Sequence, residues 1–506
     1  MKFFGAVYVG TYAISMRIFE VKKGSPLITV ESVSVPMRLE EELIDSRHLS
    51  PDTIDDVCRH INEFKEIIET YRCDDCRVYT NPAFFRLSDS VFIRDSIKRN
   101  CGLDLTILSN SEHRLLTYKR LTAHPEFANM AGDGCAIVNI GGGDTQITVV
   151  SEGDLMTTEH ISMGAVILYD SVKNIPENES KKRMIMTELI DKQLNVIKGR
   201  RSKKKLNNLI LMGDYARETY GKTKEKKESI IDAKQFLAVI NDALAFKNED
   251  IIDFLNVSDE NAELLAPYMV LYKRMLESMG VKRILVPEID ILDGIGYSYA
   301  LEQKLLPGER DFESDVLSAA RHMADKFMSY SPHIEALVKN STLIFDAMSS
   351  EHDMGSRELL LLKCAAILHD IGKFISLTGS PTISFDIIMA SEILGLSHRE
   401  RFIVASIVKY NATPLISFPD SEMDEETYLI VSRCAAIMRL ANVIDRSHKQ
   451  KFENITVRLS DDKKLIIAIT SEDDLLLEKS MFGQKIDTFK NVFSITPVLK
   501  HKKKVV

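Results

Sequence analysis

The sequence predicts an α/β protein with two similar α/β domains, followed by a mostly helical domain that carries a small α/β tail. Three observations lead there. A three-strand unit at residues 3–35 returns at residues 135–161. The second copy places three consecutive glycines, Gly141–Gly143, between two apolar runs of strand length. Beyond residue 310 the apolar residues recur at helical spacing.

The first unit reads as a strand over 3–9, a turn at Gly10-Thr11-Tyr12, a strand over 14–20 and a third from Pro26 to Val35. From Ser50 to Tyr71 the apolar residues Ile54, Val57, Ile61, Phe64, Ile67 and Ile68 recur at threes and fours, the period of a helix buried on one face. A strand ends at Tyr79-Thr80, and helices are expected near 89–101 and 112–122. The opening pattern then repeats as Cys135–Ile140, a glycine turn, Gln146–Val150, a turn at Gly153-Asp154 and Leu155–Ile161. Such a repeat predicts two like domains, each presenting a glycine turn to the space between them, which is where ligands commonly sit.

The pattern is helical over 180–205 and ends in the basic run Lys198–Lys205, read as a solvated loop or as a rim that gathers a polyanion. Leu209–Gly213 is a strand ending in glycine. Asn261–Met279 is a helix, Gly280–Pro287 a strand, Asp290–Leu305 a closing helix and Pro307–Arg310 a linker. Helices dominate to about 450. Residues 453–497 alternate more and predict the small tail, with Lys502–Lys504 fraying at the end.

A chain of 506 residues exceeds one core and implies about three domains. The net charge of −9 argues against a dedicated nucleic-acid binder, so an anion site has to be built locally. Seven scattered cysteines read as reduced thiols of a cytoplasmic protein. Cys73 and Cys76 have metal-ligand spacing but no second pair. Neither a long apolar N-terminal segment nor an uninterrupted 18-residue apolar run is present, so no membrane association is expected.

Two stretches carry chemistry. Three glycines offer no side chain to pack, but they suit a tight turn whose bare N–H groups approach an anion closely. With Asp144-Thr145 following, the turn reads as a phosphate cradle or as an ordinary glycine-rich hairpin. In the helical domain the apolar run Cys364–Leu368 ends in His369-Asp370, adjacent ligands suited to a divalent metal, with His333 upstream on another helix. Phosphoryl chemistry also needs a group that orients water. Glu112, at a helix start after Leu105–Leu108, is the candidate base, although an acid there also suits the helix dipole.

Together these residues resemble the exopolyphosphatase/guanosine-pentaphosphate phosphatase (Ppx/GppA) family. The resemblance rests on Ala6–Thr11, Ser109–Glu112, Val138–Thr145, Ser162–Val166, Leu285–Pro287 and Ile291–Gly294. It implies two actin-like, ribonuclease-H-like domains at 1–128 and 129–306, then a mostly α-helical HD-like (His-Asp phosphohydrolase) domain at 307–506. Ile367–Lys373 and Arg439–His448 carry the likeness to the last. The implied activity is hydrolysis of terminal phosphoanhydride bonds of inorganic polyphosphate or guanosine pentaphosphate by a homodimer. Glu112 would be the base. Gly10, Thr11, Asn139, Gly141, Gly142, Gly143, Asp144, Thr145 and Gly213 would bind phosphate. His333, His369 and Asp370 would hold a divalent metal, Mg²⁺ or Mn²⁺, weakly.

The chain departs from the family pattern. Tyr8 and Asn139 stand where the family has Asp, and Gln146 where it has Glu. Phe84 replaces an Arg, with Arg86 nearby. In the helical domain Ser380–Ile383 replaces a His-rich run, Asn411 a His, and Asn442 the last metal-site Asp. Lost carboxylates weaken divalent-cation binding. The sequence therefore predicts reduced turnover or, alternatively, a polyphosphate- or alarmone-binding sensor without catalysis. A third reading puts residual phosphohydrolase chemistry at His333, His369 and Asp370.

Overall fold

The computed structural model describes residues 1–11, 13–37, 39, 42, 48–198, 206–223, 230–257, 262–306, 310–452 and 454–503. The basic run after Lys198 and Pro307–Glu309 of the expected linker lie outside these residues. The chain divides into two compact units, residues 1–312 and 313–506.

In the first unit β1 (Lys2–Val9), β2 (Ala13–Val21), β3 (Ile28–Pro36), β4 (Asp75–Thr80) and β5 (Leu105–Ile107) form a sheet in the order β3-β2-β1-β4-β5. β1 to β3 are an antiparallel meander, while β1, β4 and β5 run parallel. The helices Pro51–Thr70 and Ser90–Cys101 make the parallel crossovers. Ser50 caps the first by accepting from Thr53 N, with proline in the first turn. Its Val57, Ile61, Phe64 and Ile68 enter one core with Val7, Val78 and Ile97, as their spacing predicts.

The second sheet repeats the plan. β6 (Cys135–Ile140), β7 (Thr145–Ser151), β8 (Asp154–Ile161), β9 (Asn208–Gly213), β10 (Ile230–Asp232) and β11 (Arg283–Leu285) lie in the order β10-β11-β9-β6-β7-β8. β6, β7 and β8 are again an antiparallel meander, and β6, β9 and β11 are parallel. Strand β10 and the helices Ala165–Lys173, Ala216–Gly221, Ala233–Ala245 and Asn248–Leu255 add to the elements read from the sequence. The helix Ile291–Glu302 follows the second sheet but packs on the first. Its Leu292, Ile295 and Tyr299 join Phe4, Ala6 and Phe19 in one cluster, with Phe4 and Tyr299 stacked at 4.0 Å.

The second unit is helical from Phe312–Lys326 through Glu425–Ile444. That last helix has the length and apolar composition to cross a membrane, but 67% of the qualifying window is buried inside the unit, as for a core helix. β12 (Asn454–Ser460), β13 (Lys464–Ser471) and β14 (Thr496–Lys503) follow in the order β12-β13-β14. Leu465, Ile467 and Ile469 alternate into the core. The terminal lysines do not fray through 503: Lys502 and Lys503 pair with Thr470 and Ser471 of β13, whose ladder satisfies their main chain.

Candidate functional site

Parallel strands bring their C-terminal ends to one edge of a sheet, the usual place for ligands in α/β folds. At that edge of the first sheet lie Gly10-Thr11 after β1 and Ser109–Glu112 after β5. At that edge of the second lie Gly141–Gly143 after β6 and Gly213 at the end of β9.

Glu112 is the third residue of the helix Asn110–Thr122 and forms a capping box with Ser109. Its Oε2 accepts from Ser109 N at 2.9 Å and Ser109 Oγ at 2.6 Å, and Ser109 Oγ accepts from Glu112 N at 3.3 Å. The carboxylate is thus held at the positive end of the helix. On the same helix Arg114 Nε donates to Gln146 Oε1 on β7 at 3.1 Å, which ties the two sheets together beside the glycine turn.

The triple-glycine turn is closed by Gly141 N donating to Asp144 O at 2.9 Å. Its carbonyls are also used: Ala165 N and Val166 N, at the start of the helix Ala165–Lys173, donate to Gly141 O at 3.1 Å and Gly142 O at 2.9 Å. Gly164 makes this approach possible, because a Cβ there would lie 2.3 Å from both carbonyl oxygens. Gly143 is exposed and faces open space. Thr145 is fully buried, and its hydroxyl donates to Met163 O at 2.8 Å, so this side chain is committed to packing. Asn139 is paired with Gln146 across the turn.

The Asp144 side chain accepts from Gln146 Nε2 at 3.0 Å and meets His160 Nε2 at 2.9 Å. Burial alone would raise its pKa; the bonds from His160 and Gln146 outweigh burial and hold the carboxyl below its ordinary value. An ionised carboxylate repels phosphate, so any anion contact at Asp144 has to come from the main chain. The charge acts across the gap between the sheets. Burial and Asp144 raise the Tyr8 phenol. Burial lowers His113 to about 4, with Asp144 opposing and Arg114 adding to the effect. The Tyr8 and His113 rings lie 6.0 Å apart.

Gly213 has φ +138°, and a Cβ would lie 2.5 Å from Ile140 O, so glycine is needed where β9 ends beside β6. It lines a cavity of about 450 Å³ with Arg17, Ser32, Arg217, Asp290 and Asp293. Arg17 binds Asp290 and Asp293 at 2.7 Å each, which offsets part of their negative charge. Glu112 and Gly141–Asp144 are not among the residues that line this cavity.

In the second unit His333, His369 and Asp370 come together. His333 Nδ1 lies 2.8 Å from Asp445 Oδ2. Its ring stacks on His448 at 3.6 Å and meets His369 edge-on at 5.1 Å. His369 Nδ1 donates to Ala366 O at 2.9 Å. Asp370 Oδ2 lies 3.2 Å from His369 Nε2 and 2.6 Å from Lys373 Nζ. Burial raises the Asp370 pKa, but His369 and Lys373 outweigh it and pull the carboxyl well down. Among the described residues no group of three or more His, Cys, Asp and Glu is placed to hold a metal ion.

Comparison with known proteins decides the family. The Ppx/GppA phosphatase family matches residues 17–303, more than half of the chain, and Ppx/GppA phosphatase domain III matches residues 317–488. The chain belongs to the Ppx/GppA phosphatase family. No curated protein matches it. Among solved structures, an Aquifex aeolicus Ppx/GppA family member is 15% identical over 60% of this chain and 98% of its own, with a TM-score of 0.51. An exopolyphosphatase from Cytophaga hutchinsonii ATCC 33406 is 15% identical over 60% of this chain and 100% of its own, with a TM-score of 0.52. The likeness to these structures is one of fold and covers about the length of the two actin-like lobes; the helical domain that follows rests on the domain III match. Membership supports phosphohydrolase chemistry as the general function class.

Asn442 and Asp445 sit near each other at the end of the helix Glu425–Ile444. The sequence reading puts Asn442 in the place of the family's last metal-site Asp; in the structure the carboxylate against His333 is Asp445, and Asn442 Oδ1 is buried without a hydrogen-bond partner among the described residues. The sequence reading also missed His113, His160 and Gln450. Register alone would not have found His160: an even β7–β8 hairpin would set Glu159 opposite Gln146, and the shift between Val149 and Val150 puts His160 there instead. Phe84 is buried, and the side chain of Arg86 lies outside the described residues.

Proposed function

We propose that the chain hydrolyses terminal phosphoanhydride bonds of inorganic polyphosphate or guanosine pentaphosphate, and does so slowly. Glu112 would orient and deprotonate the attacking water. The main-chain N–H groups of the Gly10-Thr11 and Gly141–Thr145 turns would hold the terminal phosphate. The observation that carries this reading is the fixed Glu112 carboxylate, on a helix bonded through Arg114 to the strand leaving the triple-glycine turn. Helix N-termini and bare turns favour anions. Slow turnover follows from Tyr8, Asn139 and Gln146, neutral side chains where the family pattern has acids that hold a cation, and from the Asp144 charge facing the phosphate position. A divalent metal, Mg²⁺ or Mn²⁺, would be weakly held, with His333, His369 and Asp370 as its candidate ligands in domain III.

The second reading, a polyphosphate- or alarmone-binding protein without turnover, is favoured by the same Asp144–Tyr8–His113 cluster, which puts polar bulk where a metal and phosphate would meet. Two measurements on one sample separate them: phosphate release across polyphosphate lengths and guanosine pentaphosphate with Mg²⁺ or Mn²⁺, and calorimetric binding of the same compounds. Release supports hydrolysis. Binding without release supports the sensor. Neither binding nor release rejects both.

A further inference from the structure

Strand β8 is bulged beside the triple-glycine turn. Near its own turn the β7–β8 hairpin pairs Val150 with Leu155, and past the register shift it pairs Val149 with Thr157 and Gln146 with His160. The extra residue in β8 exchanges Glu159 for His160 on the face where the Gln146 side chain meets Asp144. The imidazole completes a chain of bonds of fixed direction. Arg114 Nε can only donate, so the Gln146 oxygen has to face it, at 3.1 Å. Gln146 Nε2 is thereby turned to Asp144 Oδ2, at 3.0 Å. His160 Nε2 meets the same oxygen at 2.9 Å. Oδ2 is thus held by two side chains, one from each strand of the hairpin. Oδ1 lies over Gly141, where an added Cβ would stand 3.4 Å from it. The Asp144 carbonyl closes the turn by accepting from Gly141 N. Tyr8 from β1 and His113 from the helix Asn110–Thr122 face the same carboxylate. One residue therefore carries the negative charge and shapes the turn.

We infer that His160 is a positioning residue for phosphate binding: the β8 bulge brings it to Asp144, and it pins that carboxylate to the hairpin so that the bare N–H groups of the triple-glycine turn, and not the carboxylate, meet a terminal phosphate. The inference rests on the proposed phosphate cradle at this turn and names what keeps the cradle open. Without the imidazole, Asp144 regains its other staggered rotamers, and its charge sweeps the open space at Gly143, where it repels an incoming anion. A clamp of this kind acts on binding. Its loss raises KM, while Glu112, held by Ser109 on the other lobe, stays in place.

The test uses the full chain and follows calorimetric binding of tripolyphosphate, together with KM and kcat of phosphate release from it. His160→Ala should weaken binding about 10-fold, what one hydrogen bond to a charged group is worth, and raise KM by a like factor with kcat nearly unchanged. His160→Gln, which keeps a donor for Asp144 Oδ2, should restore most of the affinity. Asp144→Asn removes the charge that has to be held back, so it should bind more tightly than the wild type. Adding His160→Ala to Asp144→Asn should then cost little, because no charge is left to restrain. If His160→Ala does not fold, His160→Phe, which fills the space without a donor, takes its place in the same comparison. An equal loss of affinity from removing His160 in the wild type and in Asp144→Asn overturns the clamp and leaves His160 a packing residue. A fall in kcat with KM and binding unchanged overturns it as well. No binding of tripolyphosphate by the wild type or by Asp144→Asn rejects the phosphate cradle itself, and the role of His160 with it.

Discussion

Arg114 Nε meets Gln146 Oε1 at 3.1 Å and so joins the helix that starts with Glu112 to the strand that leaves the triple-glycine turn. Gln146 also donates to Asp144. One amide thus holds an arginine and a carboxylate together across the two lobes. Gln146→Leu removes both bonds and leaves desolvated polar atoms, at a cost of about 1–3 kcal/mol. Thermal denaturation should show a lower Tm; an unchanged Tm would mean that the amide carries no net load.

Ser109→Ala removes the hydroxyl that both caps the helix Asn110–Thr122 and grips Glu112. Loss of such a cap costs about 1 kcal/mol. If Glu112 acts as the base, freeing its carboxylate should lower kcat more than it raises KM, which steady-state phosphate release reads directly.

His113 gives a pH dependence. Its folded pKa, pushed to about 4 by burial, lies below the ordinary histidine value of about 6.5. The neutral ring is the one that fits. Its contribution is therefore fully present above the unfolded pKa and is lost as the pH falls from about 6.5 toward 4, by up to about 3 kcal/mol. Asp144, whose folded pKa is lowered, contributes stability that is present above its unfolded value and is lost at lower pH, as the carboxyl takes up its proton. Melting curves from pH 7.5 to 4 should show a falling Tm that flattens in His113→Gln; parallel curves would assign the loss to other groups.

Gly164→Ala places a methyl 2.3 Å from two carbonyl oxygens of the glycine turn. The start of the helix Ala165–Lys173 has to move away, breaking the bonds from Ala165 N and Val166 N. Overpacking of this kind costs about 1–3 kcal/mol or more, so a clear drop in Tm is expected together with loss of any phosphate binding. Wild-type stability and binding in this variant would show that the turn tolerates displacement.

Strands with clear alternation or dense apolar runs were legible in the sequence, as was the repeat of the two meanders, because one buried face forces a period of two. The helix Pro51–Thr70 was legible because Ser50, Pro51 and the spacing of Ile61, Phe64 and Ile68 agree. The three-residue strand Ile230–Asp232 and the six-residue helices were not, since so few residues hold no full period. The destination of Ile291–Glu302 was hidden for another reason: which sheet a helix covers depends on partners such as Phe4 and Phe19, far away in sequence. At the site, Glu112, Gly141–Gly143 and His369-Asp370 stand out as residue types that conflict with their surroundings. Gln146, His113 and Asp445 act through long-range contacts with Arg114, Asp144 and His333, and local pattern does not carry those.

The most direct measurement is phosphate release from polyphosphates of graded length and from guanosine pentaphosphate by the wild type and Glu112→Gln, with Mg²⁺ and Mn²⁺ varied. Release by the wild type that falls by a factor of at least about 10² in Glu112→Gln, with ligand binding retained, is the expected result for a general base. Equal release by both proteins would contradict it.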